Sequence, residues 1–197
     1  NLIQEWHPTK NGNKNPFNVV AFSGKYAWWK CSKADDHEWR ATINSRSQGT
    51  GCPICVGQKV VKSNSLAQTH PEIAKQWHPT KNGNLTAREC LYTSNKLVWW
   101  KCDKGSDHEW YASCAQRVKK ESGCPMCSGH SVAISNSLAT LNPELSKQWH
   151  PTKNGNKKPS DFTVSSSEEV WWLCNNDNTH FWKSSIANRN AGRDCPS

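Results

Sequence analysis

One cysteine/histidine signature occurs three times in this chain at nearly constant spacing. The first copy reads Trp28-Trp29-Lys30-Cys31, His37-Glu38-Trp39 and Cys52-Pro53-Ile54-Cys55. The second reads Trp99-Trp100-Lys101-Cys102, His108-Glu109-Trp110 and Cys124-Pro125-Met126-Cys127. The third reads Trp171-Trp172-Leu173-Cys174, His180-Phe181-Trp182 and Cys195-Pro196. Three thiolates and one imidazole per copy are the ligand set of a closed tetrahedral zinc site. The spacing predicts three Zn²⁺ ions, held by Cys31, His37, Cys52 and Cys55, by Cys102, His108, Cys124 and Cys127, and by Cys174, His180 and Cys195. The fourth ligand of the last site is expected from a Cys beyond residue 197. Four protein ligands leave no coordination position open for catalysis, so no enzymatic activity is expected of these residues.

A disulfide framework is the competing use of the thiols. Ten cysteines in 197 residues are too few for a typical disulfide scaffold. Histidine also recurs in register with them, for which disulfides have no use. A metal staple is expected on physical grounds as well. The chain is 35% hydrophobic with a mean hydropathy of −0.86, and small polar units bury too little core to fold unaided. Reduced, metal-bound thiols point to an intracellular compartment, cytoplasm or nucleus. No run is long and apolar enough to cross a membrane, and no membrane partner or small-molecule substrate is expected.

The chain aligns against itself. Trp6-His7-Pro8-Thr9-Lys10-Asn11-Gly12-Asn13 recurs without change at 77–84 and 149–156. The expected units are 1–62, 63–134 and 135–197, the first truncated at its N-terminus and the last before its fourth ligand. Ser63-Asn64-Ser65 and Ser135-Asn136-Ser137 read as helix N-caps. A two-part helix follows each, with Pro71 and Glu72 opening the second part, and ends at Trp-His-Pro because proline disfavours α geometry in the residue before it. Residues 96–101 and 108–112 read as paired strands, with Cys102 and His108 at the turn between them. The single extra residue of the second copy falls near Glu121-Ser122-Gly123 and marks a surface loop. The expected fold is a row of small α+β zinc-stabilised modules of the zinc-ribbon or treble-clef kind, linked by short helices.

All twelve tryptophans sit at repeated positions. In so polar a chain they are expected to supply much of the core, one of each adjacent pair pointing inward and the other to the opposite face of its strand. Cys90 and Cys114 lie outside the zinc pattern, where the other copies place Val19 and Phe162, and Ile43 and Ile186. They read as small buried hydrophobes. Two readings of the octapeptide stand side by side: a helix stop with a tight turn, or a turn that also brings Lys10, Lys81 and Lys153 to phosphate. Arg46, Arg117 and Arg189 recur in register too. They read either as ion-pair or helix-end contacts, or as arginines for phosphate or base edges. Lys30 and Lys101, beside the first ligand, complete the candidate nucleic-acid contacts.

The succession Ser-Leu-Ala, Pro-Glu-Leu, Gln-Trp-His-Pro-Thr-Lys-Asn-Gly, Trp-Trp-Lys-Cys, His-Glu-Trp, Arg and Cys-Pro-x-Cys resembles a probable zinc-ribbon or treble-clef repeat family of unknown function. That family occurs as tandem arrays in bacterial, phage, algal and large-virus proteins. The resemblance covers nearly the whole chain and implies zinc at the ligands named above. Its members are often fused to restriction-type or repair-type nucleases, which implies DNA binding by the repeats and a possible nuclease partner. The third copy departs from the pattern, with Leu173 in place of Lys and Phe181 in place of Glu, and the chain carries no nuclease motif of its own.

The formal charge is +9. Three thiolates on Zn²⁺ leave each complete site at −1, so metal loading lowers the total to roughly +6. The expected function is a nucleic-acid-binding zinc array, double-stranded DNA favoured over RNA, acting as the targeting part of a larger protein. The alternative is an RNA-binding or protein-interaction scaffold within a large assembly.

Overall fold

A computed structural model describes residues 2–119, 121–177 and 179–196. Three antiparallel two-stranded sheets recur along it. They are β1 (Tyr26–Lys30) with β2 (Glu38–Thr42), β3 (Leu97–Lys101) with β4 (Glu109–Ser113), and β5 (Glu169–Leu173) with β6 (Phe181–Ser185). In β1–β2 the register sets Trp29 opposite Trp39 and Trp28 opposite Arg40, and in β5–β6 it sets Trp172 opposite Trp182 and Trp171 opposite Lys183. Because side chains alternate along a strand, one tryptophan of each pair faces inward. Trp29, Trp100 and Trp172 are buried, whereas Trp28, Trp99 and Trp171 keep part of their surface in water.

A two-stranded hairpin is too small to be stable alone. Here each receives a short helix: α1 (Ile43–Ser47) after β2, α4 (Cys114–Lys119) after β4 and α7 (Ile186–Asn190) after β6. Thr42 and Ser185 cap the first and last through their hydroxyls, which accept from the N–H groups of Ser45 and Asn188. Ile43, Cys114 and Ile186 open these helices from buried positions. The linkers form the one-turn helices α2 (Leu66–Thr69) and α3 (Pro71–Ala74), then α5 (Leu138–Leu141) and α6 (Pro143–Ser146). Each pair breaks at His70 or Asn142, the residue before a proline, whose backbone is pushed out of the helical region. Leu66 and Leu138, each just past its N-capping serine, are fully buried.

In the first and third repeats the octapeptide runs beside the first strand of its hairpin. Trp6 forms a bridge with Trp29, and Trp149 with Trp172, the indoles meeting edge to face at centroid distances of 5.3 and 5.5 Å. His7 N–H donates to the Trp28 carbonyl, as His150 N–H does to that of Trp171. The turn then needs glycine, because Gly12, Gly83 and Gly155 adopt φ of +57°, +60° and +58°.

By packing, the chain divides into two compact units, Asn1–Val98 with Ala112–Lys120, and Trp99–Tyr111 with Glu121–Ser197. The division passes through the second hairpin. The first unit therefore combines the first cysteine/histidine cluster with Leu66, Ala87, Cys90, Cys114 and Arg117 of the second repeat. The second combines the second cluster with the Leu138, Leu145, Val170, Trp172 and Ile186 core of the third. No helix among the described residues is long and apolar enough to cross a membrane.

Candidate metal centres

Each complete cluster is assembled by two corners, and the third shares the first of them. The first is the hairpin turn, which places one Cys at the end of a strand and a His just before the next. It is closed by N–H to carbonyl bonds from Cys31 to His37, Cys102 to His108 and Cys174 to His180, at 3.0, 3.0 and 2.9 Å. The second is the Cys-Pro-x-Cys turn, held by Val56 N–H on the Cys52 carbonyl and Gln58 N–H on that of Pro53.

The donor atoms of Cys31, His37, Cys52 and Cys55 converge within 4.8 Å, as do those of Cys102, His108, Cys124 and Cys127, and those of Cys174, His180 and Cys195. Their separations test the fit to zinc. Zn–S of about 2.3 Å and Zn–N of about 2.05 Å in a tetrahedron place sulfur about 3.8 Å from sulfur and about 3.6 Å from nitrogen. Cys31 Sγ lies 3.7 Å from Cys55 Sγ, and His37 Nδ1 lies 3.8 and 3.4 Å from the sulfurs of Cys52 and Cys55. The second cluster gives 3.7 Å between Cys102 and Cys127, and 3.6 and 3.4 Å from His108 Nδ1 to Cys124 and Cys127. The third is tighter, with Cys195 Sγ 2.9 Å from His180 Nδ1. In both complete clusters these three separations match the edges of a tetrahedral S₃N zinc site.

Burial, reinforced by the neighbouring thiols, pushes Cys55 and Cys127 up to about 12. Crowded thiols of this kind become thiolates only around a cation, and Zn²⁺ supplies that charge.

Behind the second site stands a hydrogen-bonded relay. With Nδ1 turned to the thiols, His108 Nε2 lies 3.0 Å from Ser135 Oγ, which donates to Asp107 Oδ1 at 2.7 Å, while Ser135 N–H donates to Oδ2 at 2.9 Å. In the first site Ser63 N–H donates to Asp36 at 2.8 Å. Hydrogen bonds from Ser63 and Ser135 hold the Asp36 and Asp107 carboxyls below the usual range. Such outer partners fix the tautomer and orientation of a ligating imidazole. The Ser-Asn-Ser sequence thus does three jobs where an N-cap alone was expected. Its first serine holds the aspartate and its last caps the next helix. Asn64 and Asn136 fasten the cysteine turn by donating to the carbonyls of Ile54 and Met126. The available signal was the Asp directly before His37 and His108.

The candidate nucleic-acid residues separate into two groups. Arg46, Arg117 and Arg189 are only 4%, 3% and 5% exposed, which favours the structural reading of these arginines over the phosphate-facing one. The Arg46 guanidinium carbon lies 5.1 and 5.3 Å from the Trp29 and Trp39 ring centroids, and Arg189 stands 5.7 and 5.1 Å from Trp172 and Trp182. Arg46 donates to Glu5 and the Thr50 carbonyl, Arg117 to Gln76, and Arg189 to Gln148 and the Arg193 carbonyl. A buried planar fork between two indoles, its terminal nitrogens donating to the protein, presents little surface to phosphate.

Lys10, Lys81 and Lys153 are exposed, and Lys30 and Lys101 are half-buried. Lys10 pairs with Glu38 and lies 5.1 Å from the Trp28 ring centroid. Lys30 pairs with Asp35 at 3.4 Å and Lys101 with Glu109 at 3.2 Å. Buried His7 accepts from the N–H groups of Thr9 and Lys10 at Nδ1, so Nε2 carries its proton and donates to Glu38 at 2.9 Å. Lys10 and His7 together hold the Glu38 carboxyl at about 2. In the third repeat Phe181 takes the place of this glutamate, and Lys153 lies 4.1 Å from the centre of that ring and 5.3 Å from that of Trp171.

Three stretches, 2–58, 73–130 and 145–197, match the family described as a probable treble clef zinc finger domain. The chain belongs to that family. A comparison with curated proteins gave no match. This treble clef chain is a tandem array of three small α+β zinc modules, with Cys174, His180 and Cys195 as the donors of the third site among the described residues. The two complete treble clef sites have all four tetrahedral positions filled by protein, which is the arrangement of structural zinc.

Proposed function

We propose that this array binds nucleic acid, with double-stranded DNA as its partner, and serves as the targeting part of a larger protein to which a nuclease is fused or bound. The modules are 1–62, 63–134 and 135–197, each contributing one lysine-bearing octapeptide turn. The observation that carries this reading is the placing of Lys10 over Trp28 and of Lys153 over Trp171, 5.1 and 5.3 Å from the ring centroids. An exposed ammonium and a half-exposed indole thus stand together on the outer face of the hairpin, on a chain of formal charge +9. Lys30 and Lys101 lie one residue before the first zinc ligand, on the same strand face as Trp28 and Trp99. The buried arginines take no part.

Zinc-loaded protein is titrated against duplex DNA, single-stranded DNA and structured RNA at several salt concentrations. Duplex binding should weaken steeply with salt. Replacing Lys10, Lys81 and Lys153 together by Gln should reduce the log–log salt slope by roughly 3, at about 0.9 for each phosphate no longer neutralised. An unchanged slope would remove these lysines from the interface. Tighter binding to structured RNA, whose loops expose unpaired bases, would replace DNA by RNA, because stacking on Trp28 and Trp99 then dominates. A protein-interaction scaffold is the second reading. It is favoured by the third hairpin, where Leu173 and Phe181 stand in place of a charged pair.

A further inference from the structure

Two cysteines take no part in the zinc centres, and both belong to the second repeat. Cys90 occupies the position of Val19 and Phe162, and Cys114 that of Ile43 and Ile186. Two separate exchanges of one apolar residue for another would have no reason to fall in the same copy or at facing positions. These two do both. Their Sγ atoms lie 3.0 Å apart, and the residues are 4% and 0% exposed. At that separation a small change of side-chain torsion brings the sulfurs to bonding distance.

The two thiols are chemically unequal. The hydrogen bond from Cys114 draws Cys90 down to about 7, with Ser94 and Lys96 acting in the same direction. Cys114 moves the opposite way, because its sulfur faces that of Cys90 from a buried position. One sulfur is prepared to attack and the other to resolve. The pair also joins two structural elements. The Cys90 carbonyl accepts from Leu66 N–H at 2.7 Å, at the start of α2, and Cys114 opens α4.

We propose that Cys90 and Cys114 form a dithiol–disulfide couple, a redox-modifiable site separate from the three zinc centres. The oxidant is a small disulfide of the glutathione class. The Cys90 thiolate attacks one of its sulfurs, forming a mixed disulfide and expelling one glutathione thiolate. Cys114 gives its proton to solvent and attacks the Cys90 sulfur, closing the intramolecular bond and expelling the second. Two protein thiols become one disulfide, and the oxidant takes up two electrons and two protons to become two glutathione thiols. Burial makes the reaction slow, because the oxidant reaches Cys90 only on local unfolding of its surroundings. Once closed, the bond restricts the unfolded chain between two residues 24 apart and raises the stability of the unit that holds them.

The test equilibrates the zinc-loaded chain in glutathione buffers from reducing to oxidising, blocks remaining thiols, and maps the tryptic peptides without reduction. The expected result is a linked pair, residues 89–96 joined to 105–117, with the metal content unchanged and a melting temperature that rises on oxidation and returns on reduction. Cys90→Val with Cys114→Ile, the residues of the first repeat, should fold, load the same zinc and show no shift. Absence of the linked peptides in fully oxidised glutathione would overturn the proposal. So would linkage that appears only as zinc is released.

Discussion

The Asn11 side chain completes the hydrogen bonding of Trp28, accepting from its N–H at 2.8 Å and donating to its carbonyl at 2.9 Å. Asn154 does the same to Trp171, at 2.8 and 2.9 Å. An amide side chain here substitutes for a neighbouring strand, satisfying an edge that would otherwise be open. Asn154→Ala leaves the Trp171 N–H without its acceptor, while the carbonyl keeps only the His150 N–H, and is expected to cost about 1–3 kcal/mol. Asn156, equally invariant among the copies but exposed, should tolerate alanine within about 0.5 kcal/mol. Denaturant unfolding of the two variants measures the contrast, and equal losses would contradict the strand-substitute role.

Arg189 supports the fold from between two indoles. Arg189→Met removes donors from the Arg193 carbonyl and Gln148, so stability should fall by about 1–3 kcal/mol. Arg189→Lys should recover little, because an ammonium lacks the planar fork. Neither change should alter the salt slope of nucleic-acid binding. A flattened slope with unchanged unfolding would return this arginine to the interface.

The same arginine shows where a sequence stops being legible. Ligands, hairpins and the inward tryptophans could be read because tetrahedral chemistry and strand alternation impose fixed spacings. Identity among copies is different, since a buried cation and a phosphate contact both leave an invariant Arg. Its acceptor was nonetheless visible: Glu5, Gln76 and Gln148 each stand 41 residues before Arg46, Arg117 and Arg189. The helices after the hairpins carry too few residues for a 3.6-residue period to emerge. The octapeptide falls between these cases. Its Trp, His, Asn and Gly are each used by the fold, and Lys10 and Lys153 lie against rings on its outer face.

The relay from His108 through Ser135 to Asp107 should govern metal affinity at the second centre alone. Asp107→Asn replaces one acceptor by a donor and breaks the chain of hydrogen bonds. Zinc affinity there should fall by roughly 10–100-fold, the usual effect of losing an outer-sphere partner. Competition with a chromophoric chelator, read for one centre with the other ligand sets replaced by serine, measures it. Unchanged affinity would mean that Asp107 and Ser135 serve only the linker.

Zinc removal should dissolve the hairpins rather than loosen them. Cys31 and Cys52 are buried members of the same apolar cluster as Trp29, Trp39 and Ile54, so metal and core are one structure. The cluster is small, and the free energy of metal binding is largely its folding free energy. A strong chelator is therefore expected to shift tryptophan emission to the red as Trp29, Trp100 and Trp172 meet water. Emission and zinc release, followed together, should proceed in step. Blue emission persisting after all zinc has left would show that the tryptophan cores stand without metal, and would reverse the order of cause assigned here.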